Sequence, residues 1–128
     1  MISLDTHVLA WSLLRPALLT SAARTALESA SGWGVSSAVL YEIRYKHGTG
    51  KWPEVGALAD DLHARLDDLG FEVFAADART MDLAGGFDWS HRDPFDRIIA
   101  ATCMTRGVPV VSKDAVLDTA PGGLSRVW

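Results

Sequence analysis

The chain has 128 residues, 48% of them hydrophobic, with sixteen Asp and Glu against twelve Lys and Arg for a net charge of −4. That length suits one α/β unit over residues 1–128, and the acidic balance argues against gripping a polyanion by overall charge. The lone Cys103 excludes an intramolecular disulfide or a paired-cysteine zinc site, and the apolar runs fall far short of the roughly 20 residues of a membrane-spanning helix, so a reducing cytoplasm is the expected compartment.

Met1 to Leu4 is a short apolar run that stops at Asp5, which reads as a first strand and not as a signal peptide. Val8, Leu9, Trp11, Leu13 and Leu14 then follow a helical rhythm up to Pro16. Thr20 or Ser21 caps a second helix through Ala30, closed by Gly32, and Gly34 to Ser36 makes a very short second strand. Ser37 is expected to cap the next helix, with Val39, Leu40 and Ile43 as its inward stripe and Glu42 and Lys46 one turn apart on another side. Gly48 and Gly50 close it. From Pro53, the spacing of Val55, Leu58, Leu62, Leu66 and Leu69 predicts one longer helix up to Gly70, before a third strand over Phe71 to Phe74.

Asp77 is expected to cap a short helix through Leu83, and Gly85 to Trp89 a loop leading into His91–Arg97, the chemically densest stretch. Asp93 and Pro94 read as cap and first residue of a helix that Phe95, Ile98, Ile99, Thr102 and Cys103 carry to Gly107. Val108 to Ser112 is a buried strand, Asp114 begins a further helical turn, and Leu124 to Trp128 adds an edge strand after Pro121, Gly122 and Gly123. Strands alternating with helices predict a parallel sheet covered on both faces by right-handed crossovers.

Such sheets gather ligands at the carboxyl ends of their strands. Asp5 follows strand one directly, Asp114 comes just after the Val108–Ser112 strand, and Glu42 sits in the second turn of the helix that follows strand two. Asp96 opens the helix leading into the Val108 strand. Together, four carboxylates on rigid elements can hold one or two hard divalent cations through oxygen ligands and hydrolyse a phosphodiester by activating a water.

Each of these residues also has a plain structural use. Asp5 and Asp114 can cap helices, Glu42 can be solvated, and Asp96 suits the positive end of a helix. Asp93 reads first as a cap, with a supporting role behind the metal as the alternative, and Ser112 either ends its strand or joins the metal shell through water. Trp11 and Phe95 read first as core, and His7 and His91 as solvated residues within reach of a phosphate. Arg44, Lys46, His47 and Lys51 complement the dipole at the end of the Glu42 helix or position an RNA backbone. Arg92 and Arg97 flank Asp93 and Asp96 as ion-pair partners or RNA contacts.

In Leu4, Asp5, Thr6, His7, Leu9 and Trp11, in Tyr41, Glu42 and Ile43, in His91 through Arg97 and in Val111 through Asp114, the sequence resembles PIN-domain proteins, and among them the VapC toxins of bacterial toxin–antitoxin pairs. The resemblance covers nearly the whole chain. It implies an acidic quartet of Asp5, Glu42, Asp96 and Asp114, a strand-end hydroxyl at Ser112 where threonine is more usual, and supporting positions at Thr6 and Asp93. It further implies a Mg2+- or Mn2+-dependent endoribonuclease with sheet order 3-2-1-4-5, a homodimer, and a cognate antitoxin that presents a basic side chain to the acids. Arg44, Lys46, His47, Arg92 and Arg97 are then the candidate contacts for RNA or antitoxin. Three other readings compete: a catalytically silent RNA-binding or regulatory domain; a phosphoacceptor receiver, which would use Asp77 and Lys113; and an aspartyl-nucleophile phosphatase, which would want an Asp where His7 stands.

Overall fold

The computed structural model describes residues 1–128. Ile2–Leu4 forms β1, buried along its length. It stops at Asp5, whose carboxylate accepts the Val8 amide at 2.8 Å and so starts α1 (Thr6–Leu14). A 3-10 turn at Pro16–Leu18 leads to α2 (Ser21–Ser29), capped by the Thr20 hydroxyl. β2 (Trp33–Ser36) runs straight into α3 (Ser37–Gly48). The capping hydroxyl there is that of Ser36, not the expected Ser37, whose own hydroxyl accepts the Ala76 amide at 3.0 Å.

The single helix expected from Pro53 is broken into a 3-10 turn (Pro53–Val55), α4 (Gly56–Ala59) and α5 (Leu62–Asp68). The break falls at Asp61, held at a left-handed φ of 57°. Leu58, Leu62 and Leu66 are buried on both sides of it, so the leucine spacing carries through without a continuous helix. Arg44 partly explains the interruption: its guanidinium donates to the Ala59 carbonyl at 2.5 Å, serving an oxygen that the ended helix leaves free.

β3 (Glu72–Phe74) is followed by α6 (Ala78–Gly86), which Asp77 caps through the Thr80 amide and which takes in Gly85 and Gly86, residues expected in the loop. α7 (Pro94–Arg106) has Asp93 as cap and Pro94 as its first residue, and ends at Gly107 with φ +66°, a conformation that glycine adopts without a Cβ penalty. β4 is shorter than expected, Val110–Val111 only. A 3-10 turn over Ala115–Thr119 and β5 (Arg126–Val127) complete the chain.

The five strands form one sheet in the order β3-β2-β1-β4-β5, every pair parallel. Register sets Ser3 opposite both Gly34 and Val110, so β1 is the central strand, and its carboxyl end shares an edge with those of β2 and β4. Val8, Leu9, Val39, Ile43, Ile99 and Leu117 are fully buried around the sheet, each contributing about 1.5–3 kcal/mol by leaving water. Gly34 is required for a steric reason: a Cβ there would stand 2.2 Å from the Phe74 ring, which lies across the strand. No helix is long and apolar enough to cross a membrane.

Candidate active site

At the carboxyl edge of β1 and β4 lies a small pocket of about 90 Å³ with no apolar side chain in its wall. Asp5, Thr6, His7, Glu42, Lys46, Asp93, Asp96 and Asp114 line it. One larger cleft, of about 310 Å³ against α1 and α2, is walled mainly by leucine and aromatic side chains such as Leu13, Leu27, Trp33 and Phe71. The chemistry therefore concentrates in the smaller cavity. All four sequence-predicted acids reach it, from positions 5, 42, 96 and 114.

Asp5 is anchored twice. One oxygen accepts the Val8 amide, and the other accepts the Ser112 hydroxyl, so the helix cap and the site position are the same residue. Ser112 also accepts the Asp114 amide at 3.0 Å, linking the two acids that follow β1 and β4. Glu42 is buried although it lies on a helix: the Thr6 hydroxyl donates to one oxygen and the Lys46 ammonium to the other at 2.5 Å, the i,i+4 geometry of one turn. Asp96 accepts from His91 Nε2 at 2.6 Å. Asp114, although it precedes the 3-10 turn, makes no capping bond, and no side chain pairs with its carboxylate. Asp93 caps α7 through the Phe95 and Asp96 amides while also facing the pocket.

Proximity of like charge shows in the proton affinities. Burial, with the carboxylates of Asp114 and Asp96 adding to it, pushes Asp5 up to about 6 against the pull of Ser112 and the Val8 amide. Asp96 is likewise raised, by burial first and by Asp93 and Asp114, with His91 opposing. His7 is lowered, by burial first and then by Lys113, which favours a neutral ring.

The donor set has the chemistry to suit a hard divalent cation: carboxylate oxygens on rigid elements, two of them holding protons more tightly than usual because they are buried first and lie near other carboxylates second. No three of these side chains stand close enough, as they lie, to hold one ion among them. Glu42 and Asp96 are engaged by Lys46 and His91, and those partners would have to share or yield the carboxylates.

The basic residues divide. Lys46 faces the pocket. Arg44 is turned to Ala59 and Asp60, and His47 lies against Gly56, both outside the pocket wall. Arg92 is exposed and makes no ion pair. Arg97 is neither an ion-pair partner nor a pocket residue: its guanidinium donates to the carbonyls of Ala84, Gly85, Phe87, Trp89 and His91, gathering the loop that precedes α7. Asp77, the phosphoacceptor of a receiver reading, caps α6 and lies outside the pocket. The His91–Asp96 bond escapes sequence reasoning, because no spacing rule relates a loop imidazole to a helix-start carboxylate across an Asp-Pro turn.

A family model for the PIN domain matches residues 2–122. Among solved structures, the chain is similar to VapBC2 from Rickettsia felis bound to a DNA fragment from their promoter, with a TM-score of 0.66 and 18% identity over 98% of this chain and 97% of that one. It is similar to DNA-bound VapBC from Salmonella typhimurium, with a TM-score of 0.65 and 20% identity over 98% and 97% of the two chains. It is also similar to FitAcB from Neisseria gonorrhoeae, with a TM-score of 0.64 and 20% identity over 98% and 96%. At these identities the likeness is one of fold. No curated protein matches the chain.

Proposed function

Because the chain belongs to the PIN domain family, we propose that it is a Mg2+- or Mn2+-dependent endoribonuclease, the toxin of a toxin–antitoxin pair, acting in the cytoplasm as one domain over residues 1–128. The observation that carries this reading is the convergence of Asp5, Glu42, Asp96 and Asp114 in one polar pocket, with the Asp114 carboxylate free of any partner. Asp5, Asp96 and Asp114 would hold the cation, with Glu42 completing the set. When bound, the cation supplies Lewis acidity and neutralises charge on a phosphodiester.

The surrounding residues have distinct work. Ser112 orients Asp5 and the backbone of Asp114 together. Thr6 and Lys46 hold the Glu42 carboxylate, and Lys46, about one-third exposed, can also meet a phosphate oxygen. His91 orients Asp96, and Asp93 rigidifies the first turn of α7 beneath it. The partner reading is supported by the likeness to the VapBC structures and to a toxin–antitoxin complex from Klebsiella pneumoniae. Self-association is supported by an exposed aromatic face, where Tyr41 stacks on Tyr45 and lies against Phe95.

Cleavage of single-stranded RNA by the purified chain with Mg2+ or Mn2+ tests the activity, with EDTA and Asp114→Asn as controls. Discrete cuts lost in both controls are expected, together with growth arrest of a bacterial host that the Asp114→Asn chain does not cause. RNA binding without cutting under every metal condition would replace this reading with a silent RNA-binding domain.

A further inference from the structure

Beside the acidic pocket runs a second cleft, of about 590 Å³, whose wall includes Trp11, Trp52, Arg15, Lys51 and Glu54. Clefts of about 300–1,000 Å³ accept small ligands. His7 joins the two cavities: its ring lines the acidic pocket and packs on Trp52 with centroids 4.9 Å apart and on Trp11 at 5.7 Å. Trp11 is one helical turn beyond His7, and Lys113, next to Asp114, stands with Nζ 5.2 Å from the Trp11 ring centre. Both tryptophans are only half-buried and line the cleft, Trp11 also packing on Trp128 with centroids 5.9 Å apart.

Charge distinguishes this cleft from an ordinary apolar groove. Arg15 and Lys51 line it against the one acid in its wall, Glu54, and Lys113 stands beside it over Trp11; none of the three cations is ion-paired. On a chain of net charge −4 that is a local reversal of sign. Aromatic faces interleaved with cations next to a site for phosphodiester chemistry are the features that hold unpaired nucleotides: bases stack on the rings while the cations meet the backbone.

We propose that Trp52 and Trp11 form the platform on which an unpaired base of the RNA stacks, next to the phosphate that is cut, with Lys51, Arg15 and Lys113 meeting the neighbouring phosphates. The proposal rests on the nuclease reading above and adds to it the side chains that hold a base beside the acids. The RNA must be single-stranded at this point, because a base already paired and stacked in a duplex cannot reach the rings.

The test uses the full chain carrying Asp114→Asn, so that binding is read without turnover, and a short oligoadenylate as probe, alone and annealed to oligouridylate. Single-stranded probe is expected to quench tryptophan fluorescence. Adding Trp52→Leu, which keeps apolar bulk but removes the ring, should weaken binding about tenfold, within the range of one base–aromatic stack, while Trp52→Phe should retain most of it. Thermal melting of both variants separates lost stacking from lost folding. Equal affinity in the Trp52→Leu chain, or equal affinity for the duplex, overturns the platform, and the nuclease reading then stands if the parent chain still cuts. A parent chain that neither binds nor cuts overturns both.

Discussion

Ser112 donates its hydroxyl to the carboxylate of Asp5 across 107 positions of sequence and, with the same oxygen, accepts the amide of Asp114. One small side chain thus sets the relation between the two acids that follow neighbouring strands. The bond to Asp5 favours its ionised form, so removing it should raise an already high proton affinity.

Ser112→Ala is accordingly expected to weaken Mn2+ binding at pH 7.5 by about tenfold or more, the usual cost of losing a group that orients a metal ligand. Ser112→Thr, which keeps the hydroxyl, should bind within about threefold of the parent chain. Calorimetric titration distinguishes the two, and equal weakening by both substitutions would show that packing and not the hydroxyl is at stake.

The burial of Asp5, among other carboxylates, has a cost in stability that depends on pH. Asp5 holds its proton to about 6 when folded, against 3.8 as the ordinary value. Between these values the folded chain binds a proton that the unfolded chain releases, so this group's contribution falls as pH rises through the window and is fully unfavourable above about 6. Asp5→Asn, which can still cap α1, should therefore raise the metal-free melting temperature at pH 7.5 by several degrees, corresponding to at most about 3 kcal/mol. The gain should vanish near pH 4, while Mg2+ stabilises the parent chain and not the variant. Identical melting curves at pH 7.5 would refute the linkage.

Arg97 gathers five backbone carbonyls from Ala84 to His91. An ammonium cannot reproduce that planar fork, so Arg97→Lys is expected to cost roughly 2–4 kcal/mol in urea unfolding despite conserving charge. Because the same loop carries His91, the partner of Asp96, cleavage should fall in the folded variant as well. A loss below about 0.5 kcal/mol would mean that the loop holds itself.

At Gly34, a methyl group would run into the ring of Phe74. Gly34→Ala should destabilise the chain by about 1–3 kcal/mol through overpacking, and Phe74→Leu in the same chain should recover part of that loss. Denaturant midpoints of the two single variants and the double variant measure the coupling. Additive losses would exclude the clash.

The order of elements was legible because the strands end abruptly: Leu4 gives way to Asp5, and Val111 to Ser112 and Asp114, where periodicity stops at a polar residue. Pro94 and Gly107 bracket α7 by the chemistry of helix ends. The break at Asp61 was not legible, because Leu58, Leu62 and Leu66 keep the same spacing whether or not the backbone between them stays helical. The four acids could be named from their positions after strands and at a helix start, but not what holds them. Lys46 on Glu42 follows from helical geometry, whereas His91 on Asp96 depends on how a loop folds back. Arg97 misled for a related reason: beside Asp93 and Asp96 it reads as a charge partner, and backbone carbonyls leave no mark in a sequence.

The central place of β1 also bears on how the protein comes into being. Its first strand is flanked on one side by β2 and on the other by β4, which is drawn from the last fifth of the chain. During synthesis the amino-terminal segment carrying Asp5 therefore waits, half-paired, until Val110 to Asp114 has left the ribosome. A nascent chain stalled at Thr105 should be open to protease and should bind no Mn2+, whereas one extended past Trp128 by a linker should resist and bind. On the proposed nuclease reading, a chain built in this order has no assembled acidic pocket with which to act while it is still being made.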